Sequence, residues 1–289
     1  MRCLLSAGIV SLLAGAAVAA GGGNSGLVVL SPGAQGALEM VGDARVEIPA
    51  KIVYVNSSHQ RAVDTTGSAV LDAPAMYLVG GARFNGQSEF TGVLHKSGAA
   101  FADPFAHMLF PRHDSMENFG GWSIASNSSV TLSPGYYSQG ISISGQATVH
   151  MDPGVYIFGG SGLKLTSGNL IGEEVTIIIQ SGELELAGNG QVHLSPPTSG
   201  LTKGVVIAQS RDNDSQMSMA GGAEMHITGA IYAPSAQLRM VGNSEVEGHG
   251  PLMGDLVVAD MVQLRGTATI RIGRGELKAI SLPALPLFD

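Results

Sequence analysis

The sequence predicts an all-β chain folded as a right-handed parallel β-helix, a β-solenoid with coils of about 20–25 residues. Three observations lead to this prediction: a glycine-anchored repeat, alternation of polar and apolar residues within each copy, and the overall composition. Glycine accounts for 41 of 289 residues, charged residues for only 13%, and hydrophobic residues for 44%. Strand-rich chains with many tight corners have this composition, whereas disordered chains lack the hydrophobic residues that build a core.

The repeat is clearest in residues 144–156, which read SGQATVHMDPGVY. Counting from Gly145, the second residue is small (Ala147), the fourth is apolar (Val149), and the third and fifth are polar. Alternation with period two predicts a strand with one buried face. A further glycine, Gly168, fits the frame poorly. The frame fits eight glycines, which we expect at the corners of successive coils: Gly42, Gly67, Gly86, Gly145, Gly188, Gly221, Gly242 and Gly266.

Residues 1–20 are predicted to be a cleavable export signal. Arg2 supplies the positive start, Leu4 to Ala16 the apolar run, and Ala17-Val18-Ala19 a small-residue cleavage site. The run is shorter than the ~20 residues that a membrane span needs. We therefore expect a periplasmic, cell-surface or extracellular protein that has no membrane span after cleavage and no cysteine, since Cys3 is removed.

The first half of the mature chain divides into three parts. Residues 21–26 are interpreted as a flexible leader, and residues 27–100 as a first solenoid segment. Residues 101–122, the connector, break the repeat and concentrate aromatic side chains. Within the connector, Asp103-Pro104 followed by FAHMLF predicts an N-capped helical turn. We expect the connector to be a linker or a flap over one side of the solenoid.

The second half is predicted to be more regular. Residues 123–276 form a second solenoid segment, in which the composition of Val175–Ile179 predicts a strand buried on both faces. Residues 277–289 are apolar and contain prolines. We expect them to form a cap or tail over the last coil, because an open solenoid end is an adhesive edge.

Several motifs resemble a known family. LSPGAQGALEMVGDARVEIPAKIVYVNSS, DPFAHML and LSPGYYSQGISISGQATVHMDPGVYIFGGSGLKL are similar to the repeat region of TadG-like proteins, and SPPTSG, AQSRDND and GAIYAPSAQL continue the likeness. The resemblance implies a bacterial surface protein linked to Tad (Flp) pilus assembly, and it carries over no catalytic residues. Members often begin with a membrane-anchoring helix and carry a cysteine where this chain has Ser138.

Three histidines occupy the same position of the repeat, the fifth residue after the glycine: His150, His193 and His226. Coils stack about 4.8 Å apart, so equivalent side chains form outward rows, and a histidine row could bind a metal. The same position elsewhere holds glutamate, threonine and arginine. This variety favours an exposed polar position, and we expect no metal and no cofactor.

Two other regions contain polar residues that could form a site. Asp212 and Asp214 lie in a polar loop, residues 209–217, where they could bind calcium or act as an acid pair on a polysaccharide. A solvated loop tip is the simpler interpretation, because the loop is rich in turn-forming residues. His107 and His113 lie in the connector near Asp114 and Glu117, a weak candidate for a binding groove.

Two classes of function remain. The preferred one is an exported, non-catalytic solenoid with a structural, adhesive or pilus and surface-assembly role. The alternative is a polysaccharide lyase or hydrolase, since many such enzymes are parallel β-helices, although a fold does not decide function. Expected partners are cell-surface or pilus proteins, surface polysaccharide, or a second copy that binds through the solenoid ends. The net charge of −8 argues against nucleic acid.

Overall fold

The computed structural model describes residues 25–188, 190–221, 224–248 and 256–272. The first segment forms ten strands within these residues: β1 (Ser25–Val29), β2 (Leu38–Gly42), β3 (Arg45–Glu47), β4 (Ile52–Val55), β5 (Val63–Gly67), β6 (Val70–Asp72), β7 (Ala75–Leu78), β8 (Ala82–Gly86), β9 (Glu89–Phe90) and β10 (Val93–Lys96). A short 3-10 helix, His113–Ser115, follows in the connector.

The second segment forms eighteen strands within the described residues: β11 (Gly121–Ile124), β12 (Ser129–Leu132), β13 (Gly135–Tyr137), β14 (Gly140–Ile143), β15 (Thr148–Met151), β16 (Gly154–Phe158), β17 (Gly162–Leu165), β18 (Asn169–Gly172), β19 (Val175–Ile179), β20 (Glu183–Leu186), β21 (Gln191–Leu194), β22 (Val205–Gln209), β23 (Met217–Gly221), β24 (Glu224–Ile227), β25 (Ala230–Gly242), β26 (Glu245–Gly248), β27 (Val257–Gly266) and β28 (Thr269–Ile272). The predicted all-β solenoid is confirmed, since parallel strands stack in about 10 turns.

Each coil contributes one strand to each of three faces. Face 1 contains β1, β4, β7, β10, β13, β16, β19, β22 and the first parts of β25 and β27. Face 2 contains β2, β5, β8, β11, β14, β17, β20, β23 and the second parts of β25 and β27. Face 3 contains β3, β6, β9, β12, β15, β18, β21, β24, β26 and β28.

The inward side chains form the core that the repeat predicts. Five apolar residues at the fourth position after a glycine have at most 3% of their surface exposed: Val46, Val149, Val192, Val246 and Ile270. Val149 aligns with Leu170, and Leu170 with Val192, so the residues stack directly above one another. The alternation in the sequence therefore identifies the buried row correctly.

The repeat glycines lie at corners where the backbone is left-handed. All eight have positive φ, between 72° at Gly145 and 106° at Gly221. They stack closely, since a Cβ on Gly67 would lie 2.8 Å from the carbonyl oxygen of Gly42. Gly168 fits the frame poorly for a structural reason: the corner between β17 and β18 is one residue shorter than the equivalent corners of the two neighbouring coils, so Gly168 stacks with Ala147 and Gly190 instead of Gly145 and Gly188.

The two segments join to form one stack, because the first coil packs on the last described coil. β1 pairs with β27, β2 also pairs with β27, and β3 pairs with β28. Across this junction Arg271 Nε lies 2.8 Å from Glu47 Oε2. The described part of the chain thus begins with β1 in the middle of the stack and builds outward to β10. It then crosses to the opposite end and builds back towards its own start.

The connector crosses the stack along face 1, whose outward row of side chains is almost entirely apolar. In stacking order this row contains Tyr136, Ile157, Ile178, Ala208, Tyr232, Val258, Val28, Tyr54, Tyr77 and His95. Phe101 stacks on Tyr54 with 3.9 Å between ring centroids, and at the far end of the stack His113 stacks on Tyr136 at 4.3 Å. The connector therefore lies over the solenoid side and buries the middle of this row, from Ile157 to Tyr54, whereas His95 at one end is exposed.

The same covering explains the strand predicted to be buried on both faces. All residues of β19 are buried, as expected, because alternate side chains enter the core and the others lie under the connector. The expected helical turn is only partly formed. Asp103 Oδ1 accepts a hydrogen bond from the amide of Phe105 at 2.8 Å, but residues 104–107 form a turn and no helix.

Several predicted parts lie wholly or partly outside the described residues. These are the export signal (1–20), most of the leader and the C-terminal cap (277–289). The leader was expected to reach Gly26, but β1 begins at Ser25. β28 already pairs with β3, so the last described coil is not the open end that a cap would cover. Among the described residues, no helix is long and apolar enough to cross a membrane.

The two ends of the stack differ in how they are closed. At one end Leu94 aligns with the buried Met76 but is 41% exposed, because no described strand lies beyond β10. At the other end the ring of Phe119 stacks on Tyr137, with centroids 5.1 Å apart. Among the described residues, one end is therefore open and the other is covered by an aromatic ring.

Candidate functional site

The candidate histidines lie in one outward row of face 3, but only two of them meet. Register places Ile171 between His150 and His193, whereas His193 aligns directly with His226. The His193 and His226 ring centroids are 4.9 Å apart. No group of three or more His, Cys, Asp or Glu residues that could hold a metal ion is found in the described part of the chain.

Asp212 and Asp214 are both exposed in the loop between β22 and β23. Asn213, between them, is buried and fixes the loop to the neighbouring coil. Its Nδ2 donates to the carbonyl oxygen of Gly182 at 2.9 Å, and its Oδ1 accepts from the amide of Ser215 at 3.1 Å. The two aspartates thus lie on either side of a residue, Asn213, that holds the loop in place.

The loop was expected to project as a solvated tip, but it packs against the connector through Arg211. The guanidinium donates to the carbonyl oxygens of Phe105 and Met108 and lies 5.3 Å from the centre of the Tyr232 ring. The hydroxyl of Tyr232 donates to Asp103 Oδ2 at 2.7 Å. Burial, and then this hydrogen bond to Asp103, raise the pKa of Tyr232. The loop and Tyr232 together hold the middle of the connector.

The candidate site residues of the connector differ in whether they contact the solenoid. His107 and Glu117 are exposed. His113 is half-buried against Tyr136, and its Nε2 lies 3.6 Å from Asp114 Oδ1. The structure thus brings His113 to the solenoid surface and leaves His107 in solvent.

A groove of about 540 Å³ lies between the connector and the solenoid. We call it the connector groove. Residues 108–113 form one wall, Ile157 and Ile178 lie at its base, and Gln180 and the segment 209–212 form the other wall. It therefore contains two of the predicted site residues, His113 and Asp212, on opposite walls.

Two residues that line this groove, Gln180 and Gln209, have a side-chain oxygen without a hydrogen-bond donor. Oε1 of Gln180 and Oε1 of Gln209 are buried and have no partner among the described residues. The orientation of the Gln209 amide is determined by its nitrogen, which donates to the carbonyl oxygens of Asn213 at 3.1 Å and Ser215 at 2.6 Å. Carbonyl oxygens only accept, so rotating the amide would place oxygen against oxygen.

Sequence reasoning missed Gln180, Gln209 and Arg211 as groove residues. A signal was present, because Gln180 and Gln209 are the first polar residues after the apolar runs VTIII and VVIA. Both runs are buried on both sides, so a polar residue at their end lies at the edge of the covered region. Recognising this edge requires knowing that the connector covers face 1.

One comparison with known proteins gave a match. The family described as "Domain of unknown function (DUF7305)" matches residues 128–272, which run from the strand β12 to the end of β28. Neither the curated proteins nor the solved structures contain a match. The match covers half of the chain and all but the first coil of the second segment, and the chain belongs to the DUF7305 family.

Proposed function

We propose that this protein is an exported, non-catalytic β-solenoid with a structural, adhesive or pilus and surface-assembly role. The continuous stack of about 10 turns carries the proposal. Because the junction and the connector unite both segments, the molecule is one rod that presents repeated rows of side chains. Repeated rows suit extended contacts, in which binding is distributed over many equivalent positions.

The open end provides a surface for self-association. Val93 and Leu94 are 58% and 41% exposed there, and the backbone edges of β8, β9 and β10 have no described neighbour on their outer side. An unpaired strand edge is a template for pairing with another chain. Lys96 stands in line with the buried Leu78, and a charge in an inward position weakens such pairing. We therefore expect a second copy to bind at this end weakly and reversibly.

The test separates a distributed role from a catalytic one. Cells producing the wild type, Asp212→Ala/Asp214→Ala, or His150→Ala/His193→Ala/His226→Ala are fractionated, and surface-attached protein is quantified. We expect equal attachment, because substitutions away from the core change stability by about 0.5 kcal/mol or less. The N-terminus of the exported chain should follow Ala19 or Ala20.

A catalytic role would give a different result. The purified protein is incubated with acidic and neutral polysaccharides, and new reducing ends and unsaturated products are measured. We expect none. Product formation by the wild type that the double aspartate variant lacks would replace the structural proposal with an enzymatic one, and Met1 retained in a membrane fraction would overturn export.

A further inference from the structure

The open end of the stack is a coil whose three strands have an unpaired outer edge. β8, β9 and β10 form faces 2, 3 and 1 of this coil, and no described strand pairs with them on the outer side. Val93 and Leu94 are exposed there, and Phe84 and Phe90 are half-buried against the core. Unpaired edges beside exposed apolar side chains favour association with another chain.

The opposite end of the stack is not a suitable partner for this edge. On face 1, residues 117–119 already lie along β13, where Asn118 forms a parallel bridge with Tyr136. The ring of Phe119 covers Tyr137. A second copy that approached in head-to-tail orientation would therefore meet an edge that is already paired and covered on this face.

The corner of that opposite end also blocks a further coil. Ser126 stacks with Gly145 and has φ of 64°, so it occupies the corner position of the repeat without being glycine. At these corners a Cβ points towards the preceding coil: on Gly86 it would lie 2.9 Å from the carbonyl oxygen of Gly67. By the same geometry Ser126 points out of its end, and a head-to-tail copy would press this side chain onto the Gly86 carbonyl.

Two open ends can face each other across a two-fold axis instead. Such an axis turns one coil over onto the other, so the strands that meet across it run antiparallel. When the axis crosses the middle of face 2, β8 meets β8 of the second copy. Faces 1 and 3 then change places, so β10 of each copy meets β9 of the other.

The charges at the open end select this axis. Lys96 ends β10 beside the corner of faces 1 and 2, and Glu89 begins β9 beside the corner of faces 2 and 3. Both are exposed. Turning the coil about face 2 exchanges these two corners and places Lys96 opposite Glu89 of the second copy. An axis through face 1 would set Lys96 against Val93, and an axis through face 3 would set it near Arg83.

We propose that two copies of this protein pair through their open ends about a two-fold axis that crosses face 2. Val93 and Leu94 pack on Phe90 of the second copy, and Phe84, the middle residue of β8, lies at the axis. The dimer is closed, because both open ends are covered and both blocked ends face outward. This inference rests on the proposed self-association at the open end and deepens it by defining the partner surface.

Sedimentation equilibrium of the purified protein, at micromolar to millimolar concentrations, measures the assembly. We expect a monomer–dimer equilibrium without larger species. Salt should weaken the dimer, because the contacts between Lys96 and Glu89 lie at the rim of the interface, where ions screen them.

Charge reversal tests the position of the axis. Lys96→Glu and Glu89→Lys each place like charges at two equivalent contacts and should weaken the dimer about tenfold. The double variant Lys96→Glu/Glu89→Lys restores opposite charges and should dimerise within about threefold of the wild type. Lys203→Glu makes the same change of charge at an exposed residue beside β22, away from the open end. It is the matched control and should dimerise as the wild type does.

Three results would overturn the inference: a monomer at every concentration, a series of species larger than a dimer, or a double variant that is as weak as the single variants. Its failure is distinguishable from that of the proposed function. If the cells retain surface attachment but the protein stays monomeric, only the pairing of open ends is lost. If the protein is catalytic but dimerises with the expected charge dependence, the non-catalytic role is lost and the pairing remains.

Discussion

Face 1 and face 2 are built on the same coils but have opposite outward surfaces. The outward row of face 1 is almost entirely apolar and most of it lies under the connector, whereas face 2 presents Ser123, Ser142, Lys164, Glu185, Ser218, Arg239, Gln263, Glu39, Asp64 and Arg83. Inside the stack both faces contribute apolar side chains to one core. The difference shows that the type of outward side chain depends on what covers the face. Under the connector the outward side chains are apolar, and where water covers the face they are polar.

The polar row of face 2 is held together by contacts between neighbouring coils. Arg83 forms a 2.9 Å ion pair with Asp64, and Arg239 Nε donates to Gln263 Oε1 at 3.2 Å. Exposed ion pairs of this type contribute about 0.2–1 kcal/mol each. The middle of the face 1 row is buried, so each large apolar side chain there contributes more to stability.

The comparison assumes that inward side chains are buried in the core on every face. Val149→Asp tests this assumption and should have the largest effect on stability. Val149 is fully buried, so an unpaired carboxylate there should cost about 5 kcal/mol and prevent stable folding. His150→Asp, at the exposed next residue, is the control and should change stability by about 0.5 kcal/mol or less. Urea unfolding measures both. Similar stability in the two variants would mean that the assignment of inward and outward residues in this strand is shifted by one position.

Tyr232→Ala and Arg239→Ala compare the two faces on a single strand, β25. Tyr232 is fully buried, contacts Phe105 and Phe110, and donates to Asp103, so its loss should cost about 3–4 kcal/mol and release the connector. Arg239 loses one hydrogen bond on face 2, a cost of about 1 kcal/mol or less.

Limited proteolysis within the connector measures the release directly. Cleavage should become faster in Tyr232→Ala and stay at the wild-type rate in Arg239→Ala. Equal cleavage rates in the two variants would mean that the outward row of face 1 does not hold the connector.

Gly86→Ala tests the corners at the open end of the stack. Gly86 has φ of 74°, and an added Cβ would lie 2.9 Å from the carbonyl oxygen of Gly67. This Cβ points into the stack and not out of the open end, so we expect a loss of about 1–2 kcal/mol. Gly98→Ala is the control, because nothing lies within 4 Å of its Cβ position. Equal melting temperatures would exclude strain at this corner.

Asp260→Asn should have the smallest effect, and its sign depends on pH. Partial burial raises the pKa of Asp260 above its usual 3.8. The folded state therefore holds this proton more tightly than the unfolded state, and the resulting stability is lost as the pH rises from 3.8 through the folded pKa. Asp260→Asn should raise the melting temperature at pH 7 and change it less at pH 3. A lower melting temperature at pH 7 would mean that the carboxylate has a stabilising partner.

Much of the fold could be predicted, whereas little of the candidate site could. The buried positions of Val149 and Val192 follow from period-two alternation, and the corner at Gly145 follows from a glycine that precedes each copy. Both are local signals within a few residues. The connector groove combines Met108 with Gln180 and Gln209, residues that belong to different coils and to a segment outside the repeat.

The sequence contains the coil, its inward row and its corners, because each depends on side chains two to five residues apart along one strand and turn. It does not contain the order in which the coils stack. Glu39 and Arg265 are 226 residues apart, yet they meet at the junction between the first and last described coils. The edges of all coils present similar backbone N–H and C=O groups, so the repeat alone does not determine which two coils pair with each other. Long-range pairing and the connector path over face 1 decide this order, and with it the position of the groove.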